Sequence, residues 1–253
     1  MEKVDTRIVR LHDQVVRAIA LRILVINRDS EDPILPTEME LSLELNVSRN
    51  VVREAAKVLA SKGLIEIRPK TGMRIRNHSD WNLFDTDMLN WQFEVGPDEK
   101  FFRDLYDLRS VVEPAAAERA ALRATSEEIV ELEKWYLQME LAVDNLDEHT
   151  AADTQFHATI IAACHNEFLK QINKTYWVAL QSSFRLTGTV PRGPSITLQF
   201  HKAILDAIQN RDESAARKSM ENLLAQVARD INLVMHYDTI KPLHQEKGDK
   251  RAE

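Results

Sequence analysis

The sequence predicts a mainly α-helical protein with one small β element near its start. Two observations carry this. Apolar residues recur at steps of three and four over most of the 253 residues, and only 6 glycines and 8 prolines interrupt them. Strand-like alternation is confined to residues 64–76. A third observation divides the chain. Residues 1–79 hold 14 Lys and Arg against 11 Asp and Glu, and the rest hold 19 against 29, within a total formal charge of −7. A basic first part on an acidic remainder suits a chain that meets a polyanion with its first part only.

The elements follow in order. Ile8, Leu11, Val15, Ile19, Ile23 and Ile26 give one buried face to a helix over residues 9–26. Residues 27–36 form a polar loop with two prolines. Residues 35–62 read LPTEMELSLELNVSRNVVREAAKVLASK. Thr37 and Glu40 have capping-box spacing. Leu41 and Leu45 share one face of a short helix, which Asn46 and Val47 break. Ser48 caps a second helix, in which Val52, Ala55, Ala56 and Leu59 form an apolar stripe beside a basic one of Arg49, Arg53 and Lys57. A short helix, a tight turn and a basic second helix set side chains against base edges and phosphates in a major groove. An ordinary helical hairpin with a solvated basic face has the same residues. Gly63 stops the second helix. Residues 64–67 and 73–76 then alternate as strands around the turn Arg68-Pro69-Lys70-Thr71-Gly72. A helix-turn-helix followed by such a hairpin is a winged helix. Its wing, with Arg68, Lys70, Arg74 and Arg76, suits a phosphate backbone or a minor groove.

Residues 8–78 resemble the winged helix of the GntR superfamily of bacterial transcription regulators. The LP-T-E opening, V-S-R before V-V-R-E-A, and K-G-L-I-E-I-R match it in order and spacing. The resemblance implies that Arg49 and Arg53 read guanines, and that Ser48 and Asn50 hold phosphates or base edges. The wing-tip residues Lys70, Thr71 and Gly72 are expected at the DNA as well. Two positions depart from the pattern: Met39 stands where a basic residue is usual, and Lys70 where glycine usually opens the wing tip.

The expected domain plan is a DNA-binding winged helix over 1–79, a helical linker over 80–97, an all-helical ligand-binding domain over 98–237, and a flexible tail over 238–253. Asp80 is the expected cap of the linker helix, and Leu83, Met88 and Trp91 are its expected packing residues. Within the bundle, Phe102, Leu105, Leu108 and Val112 form one stripe of the first helix. Three features interrupt the apolar faces. Asp153 and His157 lie one turn apart and lead into Ile160, Ile161 and Cys164. His201 heads a face with Ile204, Leu205 and Ile208, and Arg109 sits beside Leu105 and Val112. A charged group facing a core needs a partner, a metal or a ligand. One carboxylate and two imidazoles suit a divalent transition metal such as zinc, and Arg109 suits a two-pronged hold on a carboxylate. Hydrogen-bonded core histidines, with Arg109 paired to Asp153, meet the same requirement.

The stretches DLRSVVEPAAAERAA, DTQFH and HKAILDAIQNRD resemble the all-helical effector domain, called FCD, of the FadR subfamily. That implies a metal held by one Asp and three His, and a carboxylate effector. Asp153, His157 and His201 match three of the ligand positions, and Leu223 stands at the fourth, where leucine cannot coordinate. The site is therefore completed by water or effector, or it has lost the metal and binds the effector through hydrogen bonds. The connector WNLFDTDMLNW is similar to repressors of sugar-acid operons of the galactonate kind. This implies an aldonate or related hexonate as effector, with Thr197 and Arg185 as further contacts. Family members are dimers, so a homodimer on a palindromic operator is implied.

Cys164 is the only cysteine, which excludes an internal disulfide and suits a reducing interior. No leader-like run and no apolar stretch of ~20 residues is present, so a cytoplasmic location without membrane contact is expected. The expected function is a DNA-binding transcriptional repressor released from its operator by a small carboxylate. The rival is a metal-dependent sugar-acid enzyme fused to a winged helix. Against it, the sequence offers no general base beside the metal triad, no Gly-rich phosphate loop, no serine nucleophile motif and no catalytic cysteine setting.

Overall fold

The computed structural model describes residues 6–29, 35–68, 72–96, 98–171, 178–181, 184, 190 and 193–235. The chain forms two compact units, Met1–Pro97 and Asp98–Glu253.

In the first unit, α1 (Thr6–Asp29) turns Val15, Ile19, Ala20 and Ile23 inward. α2 (Glu38–Glu44) opens with the reciprocal cap its sequence calls for: the Glu40 N–H donates to Thr37 Oγ1 (3.3 Å) and the Thr37 N–H donates to Glu40 Oε2 (2.8 Å). Asn46 takes a left-handed conformation, φ 51°, at the turn. There the Ser42 hydroxyl donates to the Val47 carbonyl and the Val47 N–H to the Ser42 carbonyl, which ties the turn across itself. α3 (Arg49–Ser61) is capped by Ser48, and Val52, Ala55, Ala56 and Leu59 are fully buried. Burying the larger of these contributes about 1.5–3 kcal/mol each. The helix ends in a Schellman motif: Leu64 N–H donates to the Leu59 carbonyl and Gly63 N–H to that of Ala60. Gly63 sits at φ 82°, and a Cβ there would lie 2.4 Å from the Asp80 carbonyl oxygen, so glycine is required twice over.

β1 (Ile65–Arg68) and β2 (Gly72–Ile75) pair antiparallel, with Ile65 opposite Ile75 and Arg68 opposite Gly72. Ile65, Met73 and Ile75 face the core of the unit. A 3-10 turn (His78–Asp80) leads to α4 (Thr86–Val95). The linker helix begins later than expected: Asp85 caps it by accepting from the Met88 N–H at 3.1 Å, while Asp80 pairs with Arg76 at 3.3 Å. Leu83 is 37 % exposed, and Trp81, Met88 and Trp91 do the packing, in the same core as α1 and α3. Lys62, at the end of α3, joins the two helices. Its ammonium donates to both Asp85 oxygens at 2.8 Å and to Asp87 at 2.9 Å, and lies 5.7 Å from the Trp91 ring centre.

In the second unit α5 (Glu99–Arg123), α6 (Ser126–Leu141), α7 (Leu146–Ala163), α8 (Gly193–Gln209) and α9 (Glu213–Met235) pack as a bundle. α5 lies along α9, α7 and α8, while α6 pairs with α7 and α8. Residues 178–181 are helical too. α8 starts at Gly193, and Pro194 falls in its first turn, where a missing N–H costs nothing. The buried face of α5 also differs from the expected stripe. Phe102 and Leu105 are buried, but Leu108 and Val112 are only half-buried, and the face continues through Tyr106, Arg109, Glu113, Ala116, Ala117 and Ala120. No described helix is long and apolar enough to cross a membrane.

Candidate functional site

The first surface of interest is the exposed side of α3 and the wing. The apolar stripe of α3 is consumed by the core, which leaves Arg49, Asn50, Arg53 and Lys57 in solvent. Arg53 donates to Asn50 Oδ1 at 2.8 Å, so the two residues present one hydrogen-bonded edge. Among the described residues Arg49 has only a long 4.0 Å contact with Glu38, and its side chain is 66 % exposed. Both guanidiniums are thus available for a two-pronged contact with guanine O6 and N7. The Ser48 hydroxyl is engaged as helix cap. On the wing, Arg68 pairs with Glu66 at 2.7 Å, and Arg74 is exposed and makes no ion pair among the described residues. Gly72, at φ 80°, opens β2. Lys70 and Thr71 lie outside the described residues.

The second site lies inside the helical unit. α7 carries Asp153 and His157 on one face, α8 brings His201, and α5 brings Arg109 and Glu113; all are 9 % exposed or less. His201 Nε2 is 3.1 Å from Asp153 Oδ1, and His157 Nε2 is 3.3 Å from the same atom. On the outer side of each ring, His201 Nδ1 donates to the Thr197 carbonyl at 2.9 Å, and His157 Nδ1 lies 2.9 Å from Glu113 Oε2. His157 is at ion-pair distance from both carboxylates but is not well aligned with either. Arg109 Nε donates to Glu113 Oε1 at 2.7 Å, and its guanidinium lies 4.9 Å from the Phe184 ring centre. Arg109 is therefore paired with Glu113, and not with Asp153 as in the alternative to a carboxylate clamp.

The electrostatics follow from this packing. Burial alone pushes the Glu113 and Asp153 carboxyls up. For Glu113, Arg109 and His157 outweigh burial and bring it down to about 2. For Asp153, the two histidines outweigh it and hold the carboxyl far below its usual range. Burial pushes His157 down, but the nearby carboxylates of Glu113 and Asp153 raise it to about 9.

Both rings thus point two nitrogens at oxygen acceptors. Either each imidazole carries two protons, or the two Nε2 lone pairs face a cation beside Asp153. The ligand atoms of Asp153, His157 and His201 lie within 4.8 Å of one another, close enough to share one ion. An outer Nδ1 set against a carbonyl or a carboxylate is also how metal-ligating histidines are oriented. The residues present therefore fit a divalent metal. Leu223, 1 % exposed, lines the same cavity and adds no ligand. His149, Thr197 and Val227 line it too, and the free space is about 20 Å³, enough for one water-sized body. Arg185 lies outside the described residues. Sequence reasoning missed Glu113 and His149, although each stands one turn from a chosen residue, Glu113 after Arg109 and His149 before Asp153.

Comparison with known proteins finds matches in both units. Residues 11–75 match bacterial regulatory proteins of the gntR family, and residues 104–226 match the FCD domain. The galactonate operon transcriptional repressor of Escherichia coli is 33% identical over 77% of this chain and 86% of its own. The Uxu operon transcriptional regulator of the same organism is 33% identical over 81% of each chain. A solved structure of Lar, which controls the agr system of Listeria monocytogenes, shares the fold with a TM-score of 0.60, at 16% identity over 92% of this chain and 99% of that one. These relatives are regulators, not enzymes. A winged helix with an exposed arginine edge, a bundle with a buried polar cavity, and relatives matched over most of their length place the chain in the GntR family of DNA-binding transcription regulators, in the branch that carries an FCD effector domain.

Proposed function

We propose that this regulator represses a sugar-acid catabolic operon, binds a palindromic operator as a homodimer, and releases it when a small carboxylate, an aldonate or related hexonate, enters the helical unit. The observation that carries the reading is the convergence of Asp153, His157, His201 and Arg109 on one buried cavity. Support for the ligand class comes from the relatives, named for galactonate and uxu operons.

The residues have distinct tasks. Asp153, His157 and His201 would hold a divalent ion such as zinc, which supplies a Lewis-acid anchor for carboxylate oxygens. Leu223 leaves coordination positions for the effector itself. Glu113 orients His157, and the Thr197 carbonyl orients His201. With neutral imidazoles, the charges of Arg109, Glu113, Asp153 and one divalent ion leave a single net positive charge, which a monocarboxylate neutralises in a low-dielectric cavity. Thr197, whose hydroxyl donates to the Pro194 carbonyl at 3.0 Å, can accept from a ligand hydroxyl. A cavity of about 20 Å³ does not admit a six-carbon acid, so on this reading the effector binds a more open form of the helical unit. A ligand that binds only the opened form shifts the population toward it. The DNA half of the reading places Ser48, Arg49, Asn50 and Arg53 of α3, and Lys70, Thr71 and Gly72 of the wing, at the operator.

The test is a thermal-shift and calorimetry series with D-galactonate, D-gluconate and D-glucuronate, each with and without zinc, followed by operator retardation with the acid that binds. Zinc-dependent binding that releases operator DNA is expected. Metal-free protein that binds the acid with full affinity would remove the metal from the reading. Absence of binding by every acid would remove the sugar-acid effector.

A further inference from the structure

His149 stands two turns before His157 and one turn before Asp153, so the three residues form a ladder along one face of α7. It is 4 % exposed and lines the effector cavity. Its Nδ1 lies 3.0 Å from the Met139 carbonyl, near the C-terminal end of α6, where carbonyls lack a helical partner. A carbonyl only accepts, so the ring proton sits on Nδ1. Nε2 of the neutral ring is then an acceptor, and it makes no hydrogen bond to any described residue. The cation site of the cavity lies further along the ladder, from Asp153 to His157. Arg109 packs on Phe184, whose ring centre is 5.2 Å from that of His157. His149 and His157 are separated by about 12 Å along the helix axis, at 1.5 Å per residue.

We infer that His149 is a specificity-determining residue: its Nε2 accepts a hydrogen bond from a hydroxyl at the end of the effector remote from the carboxylate. The inference rests on the sugar-acid reading above and sharpens it. One end of the cavity offers positive charge, which suits an anion. The other offers a neutral acceptor, which suits a hydroxyl and repels a second carboxylate. A polyhydroxy monoacid satisfies both ends. A dicarboxylate of the same length leaves two acceptors face to face, and an acid deoxygenated at the far end leaves Nε2 buried without a partner.

The test is a two-by-two cycle of protein and ligand. D-Fuconate is D-galactonate without the C6 hydroxyl. His149→Asn keeps a donor at the Nδ1 position for the Met139 carbonyl and removes the acceptor at Nε2, so it separates the α6-capping role from ligand reading. Calorimetry of wild type should show D-galactonate bound about three- to tenfold more tightly than D-fuconate, the range of one neutral hydrogen bond, and the asparagine variant should bring that ratio to about one. A second readout uses the unaltered protein: the His149 Nε2 resonance in histidine-labelled samples should move with D-galactonate and stay with D-fuconate. Equal affinities in wild type, or a preference that survives in the variant, overturn the inference alone. Failure of wild type to bind either acid overturns it together with the sugar-acid reading.

Discussion

Arg109→Met tests the buried charge network directly. Arg109 and Glu113 are both 1 % exposed and their atoms meet at 2.7 Å. Methionine has similar length and no charge, so little volume is lost. Glu113 loses its nearest cation and retains His157, 2.9 Å away. Removing one partner of a buried ion pair costs about 3–5 kcal/mol, and the retained imidazole puts this case at the low end, about 3 kcal/mol. At about 2–4 °C per kcal/mol for a domain of this size, the melting temperature should fall by about 6–12 °C. The double variant Arg109→Met with Glu113→Gln removes both charges and should recover at least half of that loss. Thermal melts of wild type, both single variants and the double, followed by circular dichroism at one pH, give the coupling. A single variant that melts with wild type, or a cycle with no coupling, would refute the claim that the pair is held by mutual charge compensation. The double variant also gives a folded protein in which aldonate binding without the guanidinium can be measured.

Three further outcomes follow from other parts of the chain. Arg49→Ala and Arg53→Ala should each cost ~1–3 kcal/mol in operator binding and relax base preference; retardation curves that overlay wild type would remove α3 as the reading helix. Gly63→Ala should lower the stability of the first unit by more than about 1 kcal/mol, since the new Cβ meets the Asp80 carbonyl oxygen at 2.4 Å in a left-handed conformation; an unchanged denaturant midpoint would contradict that. Burial pushes the Cys164 thiol up to about 11, and its Sγ–H donates to the Ala116 carbonyl at 3.2 Å. At pH 8 only about one thiol in a thousand is then ionised, so a thiol reagent should label the protein at the rate of unfolding, and rapid labelling of native protein would show the site to be open.

The capped and periodic elements were the most legible. Thr37 with Glu40, Ser48 and Gly63 act through the local backbone, and a short window of sequence contains all that they need. Burial within the bundle was less legible. Leu137 and Leu141 are apolar residues of the helical α6, yet they are 47 % and 80 % exposed. On α5 apolar counting favoured Val112 over Glu113, because a paired carboxylate looks like surface until its partner is known. The partner of Arg109 was legible and overlooked: Glu113 stands one turn further along the same helix, whereas a pairing with Asp153 depends on how α5 and α7 are rotated against each other. The approach of His201 to Asp153 joins positions 48 residues apart, and only the packing of α8 on the bundle brings it about.

The Lys62 contact has a mechanical consequence. Burial acts to lower the pKa of its ammonium, but the hydrogen bonds and charges of Asp85 and Asp87 outweigh that and raise it. Asp85 serves at once as counter-ion for the end of α3 and as cap for the start of α4. The connector is therefore a strut fixed at its root. A load applied at Gly96 would travel along the ten residues of α4 to the end of α3, whereas a tether of glycine and serine would dissipate it.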